Sequence, residues 1–187
     1  MTKKNILIVS GHTDLKHSVA NKTILENLYR LLPEAEVAKL DELYPDFRID
    51  VEAEQQRLLR ADIIVLQYPL FWYTAPSILH RWIEDTFVHG FSHGSTGDKL
   101  KGKKLVLSFT AGAPEEMYRQ KETTGFGLED LLLPYKAMCH LTQLEYCGHV
   151  FTGGVSYGNR TTPQLIEAQQ NESIKHAERL VRLLETL

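Results

Sequence analysis

The chain predicts an open α/β fold, a three-layer sandwich in which a five-stranded parallel sheet of order 2-1-3-4-5 carries helices on both faces. Three observations lead there. Short apolar runs alternate with longer amphipathic ones five times, and alternation of that kind builds parallel sheets with right-handed crossovers. The first apolar run, Asn5-Ile6-Leu7-Ile8-Val9, is continuous, as strands buried on both faces are. No repeat, low-complexity tract or linker divides the 187 residues, so residues 1–187 read as a single domain.

Each element follows from local chemistry. After the first strand, Val19, Ile24, Leu25, Leu28, Leu31 and Leu32 recur at helical spacing, with Pro33 beyond the end. Residues 36–40 form a weaker strand, placed near an edge. Residues 51–61 read as a helix capped by Asp50. The third strand covers 62–68. The next helix opens near Pro76, suited to a first turn, and runs to about His89-Gly90. The fourth strand covers 103–109. Residues 127–141 read as helical, with Pro134 expected to break or kink them. The fifth strand covers 145–151. Thr162-Pro163 supplies a cap and a first-turn proline for a final helix carrying Leu165, Ile166, Leu180, Val181 and Leu184. Residues 91–102 and 111–125 stay irregular, and loops so long in a compact domain are often functional.

Composition narrows the function classes. Hydrophobic content of 43% and charged content of 24% fit a soluble globular protein. A net charge of −3 without a basic stripe argues against nucleic acid. No apolar run has membrane-spanning length. Met1-Thr2-Lys3-Lys4 leads straight into a strand, where a secretory signal would need a longer apolar region. Cys139 and Cys147 read as two reduced thiols of a cytoplasmic protein. Cys139-His140 with Cys147-x-His149 lacks a usual zinc spacing, and Gly90 ends the helix that would pair His89 with His93, so no metal is expected.

Three strand-to-helix loops carry the chemistry. Tyr68-Pro69-Leu70-Phe71-Trp72-Tyr73-Thr74-Ala75-Pro76 follows the third strand, where water ordinarily favours Gly, Asn, Asp and Ser. Leu70, Phe71, Trp72 and Tyr73 read instead as a wall for a flat conjugated ring, with a hydrophobic plug or a dimer contact as the plainer reading. The first loop, Ser10 to Asn21, has neither a Gly-x-Gly-x-x-Gly nor a Gly-Lys-Ser/Thr ending, and no Cys-x5-Arg phosphatase loop is present. It still ends on a helix amino terminus, whose free N–H groups and dipole suit a phosphate. Ser18, Val19, Ala20 and Asn21 sit there; Ser18 and Asn21 add side-chain donors, and His12 or His17 adds charge. Ser18 also reads as a simple cap. The fourth loop, Thr110-Ala111-Gly112-Ala113-Pro114, offers small residues and backbone donors for a ring carbonyl, with Tyr118 placed to stabilise negative charge on a reduced ring. The alternative is an ordinary turn with an exposed tyrosine. All three loops fall on the carboxyl edge of the sheet, where open α/β folds bind ligands. A phosphate site, an aromatic wall and a donor pair together describe a pocket for flavin mononucleotide.

Longer blocks point the same way: His12 with Ser18-Val19-Ala20-Asn21, Leu43-Tyr44-Pro45-Asp46-Phe47-Arg48-Ile49-Asp50 with Ala53-Glu54-Gln55, Gln67 to Tyr73, His80-Arg81-Trp82-Ile83-Glu84, and Leu100-Lys101-Gly102-Lys103. On these the chain resembles the NAD(P)H:quinone oxidoreductases of the flavodoxin-like superfamily. Among them it is most similar to the small ancillary oxidoreductases of bacterial glutathione-regulated potassium efflux systems. The resemblance runs from the first strand to about Tyr118 and is weaker beyond.

It implies a bound flavin, NADPH or NADH as co-substrate, two-electron reduction of a quinone or similar acceptor, and a homodimer with active sites at the interface. It assigns His12, Ser18, Val19, Ala20 and Asn21 to the flavin phosphate. Leu70, Phe71, Trp72 and Tyr73 go to the ring, and Thr110, Ala111, Gly112 and Ala113 to its pyrimidine edge. It also implies departures. Larger animal relatives place a histidine six residues after the tyrosine, where this chain has Thr124. Thr-Gly-Gly is replaced by Ala111-Gly112-Ala113, and a carboxy-terminal extension is missing, which favours FMN over FAD, although some short bacterial relatives hold FAD. The expected cycle is ping-pong, nicotinamide and acceptor using one site in turn. Two other readings stand beside it: a flavodoxin-type electron carrier, and a regulatory subunit docked on a potassium efflux transporter at the inner membrane.

Overall fold

The computed structural model describes residues 4–187; Met1-Thr2-Lys3 lies outside them. Five strands form one parallel sheet: β1 (Ile6–Ser10), β2 (Glu36–Lys39), β3 (Ile63–Pro69), β4 (Lys104–Thr110) and β5 (Glu145–Thr152). Their order is β2-β1-β3-β4-β5, as expected. Every residue of β3 is buried, and so is all of β4 after Lys104. That is why these strands read as unbroken β-branched and apolar runs.

Two apolar layers flank the sheet. Leu7, Val9, Ile64, Leu66, Leu105 and Leu107 face α3 (Val51–Arg60), α4 (Ser77–Thr86) and α6 (Leu128–Thr142). Ile8, Ile63, Val65, Val106 and Val150 face α1 (Ala20–Leu31) and α7 (Pro163–Glu185). A single-turn α2 (Leu40–Leu43) follows β2 directly. The caps are those expected. Asp50 accepts the Ala53 N–H at 3.0 Å, and Thr162 accepts the Leu165 N–H at 3.3 Å with Pro163 in the first turn.

Three boundaries depart from the sequence reading. Pro76 is extended and precedes the first turn of α4, which ends at Thr86 rather than near His89. Phe87 closes it by donating to Ile83 O, and a separate turn then carries the chain to Gly90 at φ 84°. Pro134 does not break α6, which continues from Leu128 to Thr142. Buried Leu132 ahead of the proline and Tyr135 and Cys139 beyond it hold both halves against the sheet. The stretch 111–125 is partly ordered, with a 3₁₀ turn at Glu115–Tyr118 and a short α5 (Lys121–Thr124).

Candidate functional site

The loop after β3 is a tight hairpin turn. Phe71 and Thr74 exchange two backbone hydrogen bonds, 2.9 and 3.2 Å long. Trp72 and Tyr73 between them both have positive φ, 52° and 67°. Such turns normally call for Asn-Gly, because a Cβ at left-handed φ is strained. Two aromatic residues held there cost on the order of 1–3 kcal/mol each. The turn leaves Trp72 93% exposed and Tyr73 53% exposed. A strained turn that displays an indole to solvent is a poor solution for folding and a good one for stacking a ring.

The three expected loops meet. Leu70 N–H donates to Thr110 O at 2.7 Å, tying the loop after β3 to the end of β4. The Phe71 ring lies edge-on to His12, centroids 5.9 Å apart. Asn21 at the start of α1 donates to Thr110 Oγ1 at 3.0 Å. Backbone donors remain open at each loop. Among the described residues no protein acceptor meets the N–H groups of Val19 and Ala20, Trp72 and Tyr73, or Gly112 and Ala113.

Individual side chains sit differently from the first reading. Ser18 is extended and accepts the Asn21 N–H at 3.2 Å, so it caps α1, and its hydroxyl proton stays free to donate. The Asn21 side chain turns inward: besides donating to Thr110 it accepts from Gln67 Nε2 at 2.8 Å, which commits its oxygen and one of its two amide hydrogens within the fold. His12 is 9% exposed and its Nδ1 accepts the Asp14 N–H at 2.9 Å. Burial lowers its pKa, against the pull of Asp41 and Asp14, so near neutral pH it is a neutral Nε2–H donor rather than a cation. His17 is bonded to Asp14 at 2.9 Å. Positive charge comes from an unexpected place. Arg160, in the loop between β5 and α7, stacks 4.0 Å over the Tyr157 ring and donates to His17 O at 3.2 Å. No local motif marks a residue brought in from 143 positions away.

Tyr118 is buried, not exposed. Its ring meets Phe151 edge-on at 5.0 Å and Phe126 at 6.3 Å, and Phe126 in turn contacts Tyr73 at 4.8 Å. It therefore joins the aromatic wall through Phe126. Burial, then the nearby Tyr73, pushes its pKa up, so the hydroxyl keeps its proton. Thr124, six residues on, donates to Gln120 O and Phe126 O and fixes the loop behind it. Gln67, named from sequence only as the start of a longer block, and Ser108, not singled out, are both fully buried and bonded to each other beneath the loops.

Comparison with known proteins identifies the fold. The model of a family described as flavodoxin-like fold matches residues 4–177. A Bacillus subtilis protein named as an uncharacterised NAD(P)H oxidoreductase, YdeQ, is 35% identical over 94% of this chain and 87% of its own length. The glutathione-regulated potassium-efflux system ancillary protein KefF of an Enterobacter species is 42% identical over 76% of this chain and 77% of its own. Among solved structures, general stress protein 14 of Treponema denticola, determined in complex with FMN, superposes with a TM-score of 0.84 at 24% identity, covering 96% of this chain and 99% of that one. With its sheet order and a family match over residues 4–177, the chain belongs to the flavodoxin-like family.

Proposed function

We propose that the protein is a flavin-dependent NAD(P)H:quinone oxidoreductase. The observation that carries this is the convergence of open backbone donors from three loops around a strained turn that displays Trp72. The residues fit FMN. The N–H groups of Val19 and Ala20, the Ser18 hydroxyl and the His12 Nε2–H suit a phosphate. Leu70 to Tyr73 suit the face and edge of the ring. The N–H groups of Gly112 and Ala113, beside Thr110, suit its pyrimidine carbonyls, and the Tyr118 hydroxyl stands ready as a donor to developing negative charge. Ala111, buried at the end of β4, donates to Thr152 O and holds that segment in place.

When bound, the flavin supplies hydride chemistry between a reduced nicotinamide and a two-electron acceptor. The protein's part is to orient the reactants and exclude water around Trp72 and Tyr73. Both reactants need the same ring face, so the kinetics are ping-pong. The YdeQ relative supports an NAD(P)H-linked reaction, and the KefF relative supports a further role. On that reading the enzyme is a cytoplasmic homodimer that also docks peripherally on a potassium efflux transporter at the inner membrane.

The test is the visible spectrum of the purified protein, with the released cofactor identified, followed by NAD(P)H oxidation against a quinone. A protein that stays colourless when supplied with FMN or FAD would sink the proposal. Intersecting rather than parallel double-reciprocal plots would remove the ping-pong cycle. One-electron steps in a reductive titration would favour the carrier reading. Failure to co-purify with a transporter would remove the docking role, and a monomer in sedimentation the dimer.

A further inference from the structure

Beneath the three loops a chain of buried polar side chains runs along the face of the sheet covered by α1 and α7. Arg179 Nη2, on α7, donates to Thr152 Oγ1 at 2.7 Å and to Phe151 O at 3.0 Å. Thr152 Oγ1 lies 2.8 Å from His176 Nδ1, and His176 Nε2 lies 2.8 Å from Ser108 Oγ. Ser108 is bonded to Gln67 Oε1. Gln67 Nε2 donates to Asn21 Oδ1 at 2.8 Å, and Asn21 Nδ2 to Thr110 Oγ1 at 3.0 Å. Between Thr152 and Thr110 every member is 3% exposed or less. Solvent therefore supplies no substitute partner, and the bonding within the chain must be self-consistent.

Self-consistency selects one direction. A guanidinium only donates, so Thr152 must accept from Arg179. In the forward sense Thr152 passes its own proton to His176 Nδ1. The imidazole then carries its proton on Nε2 and donates to Ser108, which donates to Gln67 Oε1. Gln67 donates to Asn21, and Asn21 to Thr110. Each link of the chain then has one donor and one acceptor. In the reverse sense His176 Nδ1 would donate to Thr152, which would then face two N–H donors with its own proton left without an acceptor. Leaving a buried donor unsatisfied is costly, so the forward sense wins. The choice has a consequence at the other end. Forward, Thr110 Oγ1 accepts from Asn21 and its hydroxyl proton is uncommitted. In reverse, that proton would be spent inward on Asn21.

We propose that Arg179 and His176 are positioning residues for the cofactor site. Through Ser108, Gln67 and Asn21 they set the polarity of this chain so that Thr110 presents its hydroxyl as a donor beside the open N–H groups of Gly112 and Ala113. The role of the donor rests on the flavin reading given above; the polarity itself does not. Neither α7 residue touches the loops, and both act only through the groups between.

Two measurements on the full-length protein test this. The first is nitrogen-15 NMR of histidine-labelled wild-type protein near neutral pH, with the His176 signals assigned by comparison with H176Q. The expected ring is neutral, with a pyrrole-type Nε2–H and an unprotonated Nδ1. An Nδ1–H tautomer or a charged ring overturns the polarity, and this readout needs no flavin. The second is titration of apoprotein with FMN for wild type, His176→Gln and His176→Leu. Glutamine keeps one donor and one acceptor, and leucine keeps neither. His176→Leu should weaken FMN binding by about tenfold, the worth of one good hydrogen bond, and His176→Gln should restore most of it. Equal affinity of wild type and a folded His176→Leu overturns the positioning role. Wild-type protein that shows the expected tautomer but binds no FMN overturns the flavin reading, and the positioning role with it, while the polarity stands.

Discussion

Trp72 joins two properties that rarely coincide, near-complete exposure and a left-handed backbone. Folding gains little from its indole and pays for its φ, so substitutions there separate stability from binding. Trp72→Ala should leave the melting temperature almost unchanged, as exposed positions without packing do. It should weaken FMN retention by about tenfold, the worth of one aromatic stack. Trp72→Gly should lose as much affinity while unfolding at higher urea than Trp72→Ala, by about 1 kcal/mol, because glycine relieves the turn. Unchanged affinity in both variants would take the aromatic wall out of the site. Of the site residues, Leu70 to Tyr73 were legible because aromatic side chains are out of place in a solvent-facing loop. Asn21 and His12 were legible only as positions. Whether an amide points outward to a ligand or inward to Gln67 depends on a strand that follows some forty residues later.

At the scale of elements, caps and apolar period located the helices, and α6 shows where local rules yield. Pro134 is solvent-exposed and interior to the helix, denying it the bond to the carbonyl of residue 130. Pro134→Ala should therefore stabilise the protein by about 1–3 kcal/mol, seen as a higher urea midpoint at unchanged slope. A lower midpoint would mean that the proline's geometry is needed against the sheet. The blocks around Tyr44, Glu54 and Trp82, distinctive in sequence, prove to be one lock between α2, α3 and α4. Glu54 is fully buried and accepts from Tyr44 Oη at 2.7 Å, Arg57 Nη1 at 2.6 Å and Trp82 Nε1 at 2.8 Å. Glu54→Ala strands the buried Tyr44 and Trp82 donors and takes one of two carboxylates from Arg57, which keeps Glu36, and should cost about 3–5 kcal/mol in equilibrium unfolding. A loss under about 1 kcal/mol would show that the donors find water instead.

For the whole molecule, His176 makes stability sensitive to acid. Burial, and then the charge of Arg179, depresses its pKa to about 3. The unfolded chain binds a proton there near pH 6.5, and the folded chain refuses it until about pH 3. The contribution is thus fully present above pH 6.5 and is lost as pH falls towards 3, at up to about 1.4 kcal/mol per pH unit. Urea midpoints of wild type and His176→Gln should converge as the pH is lowered through that window, because the variant has no proton to gain there. Curves that stay parallel from pH 7 to 4 would show that the ring is accessible or charged in the native state.

The five strands and their sheet order, the five long helices and the edge on which the loops meet were determined by the sequence alone, whereas the short α2 and α5 were not. They rest on short-range physics: unbroken apolar runs for doubly covered strands, period and caps for helices, handedness for the crossovers. The tertiary structure decided which donors are left over. It turned Asn21 inward, made His12 neutral, brought Arg160 to the first loop, buried Tyr118 behind Phe126 and threaded a hydrogen-bonded chain from Arg179 to Thr110. A hydrogen bond needs its partner within about 3 Å, and for Asn21, Arg160 and the links from Arg179 to Thr110 that partner lies far along the chain, where no local pattern can announce it.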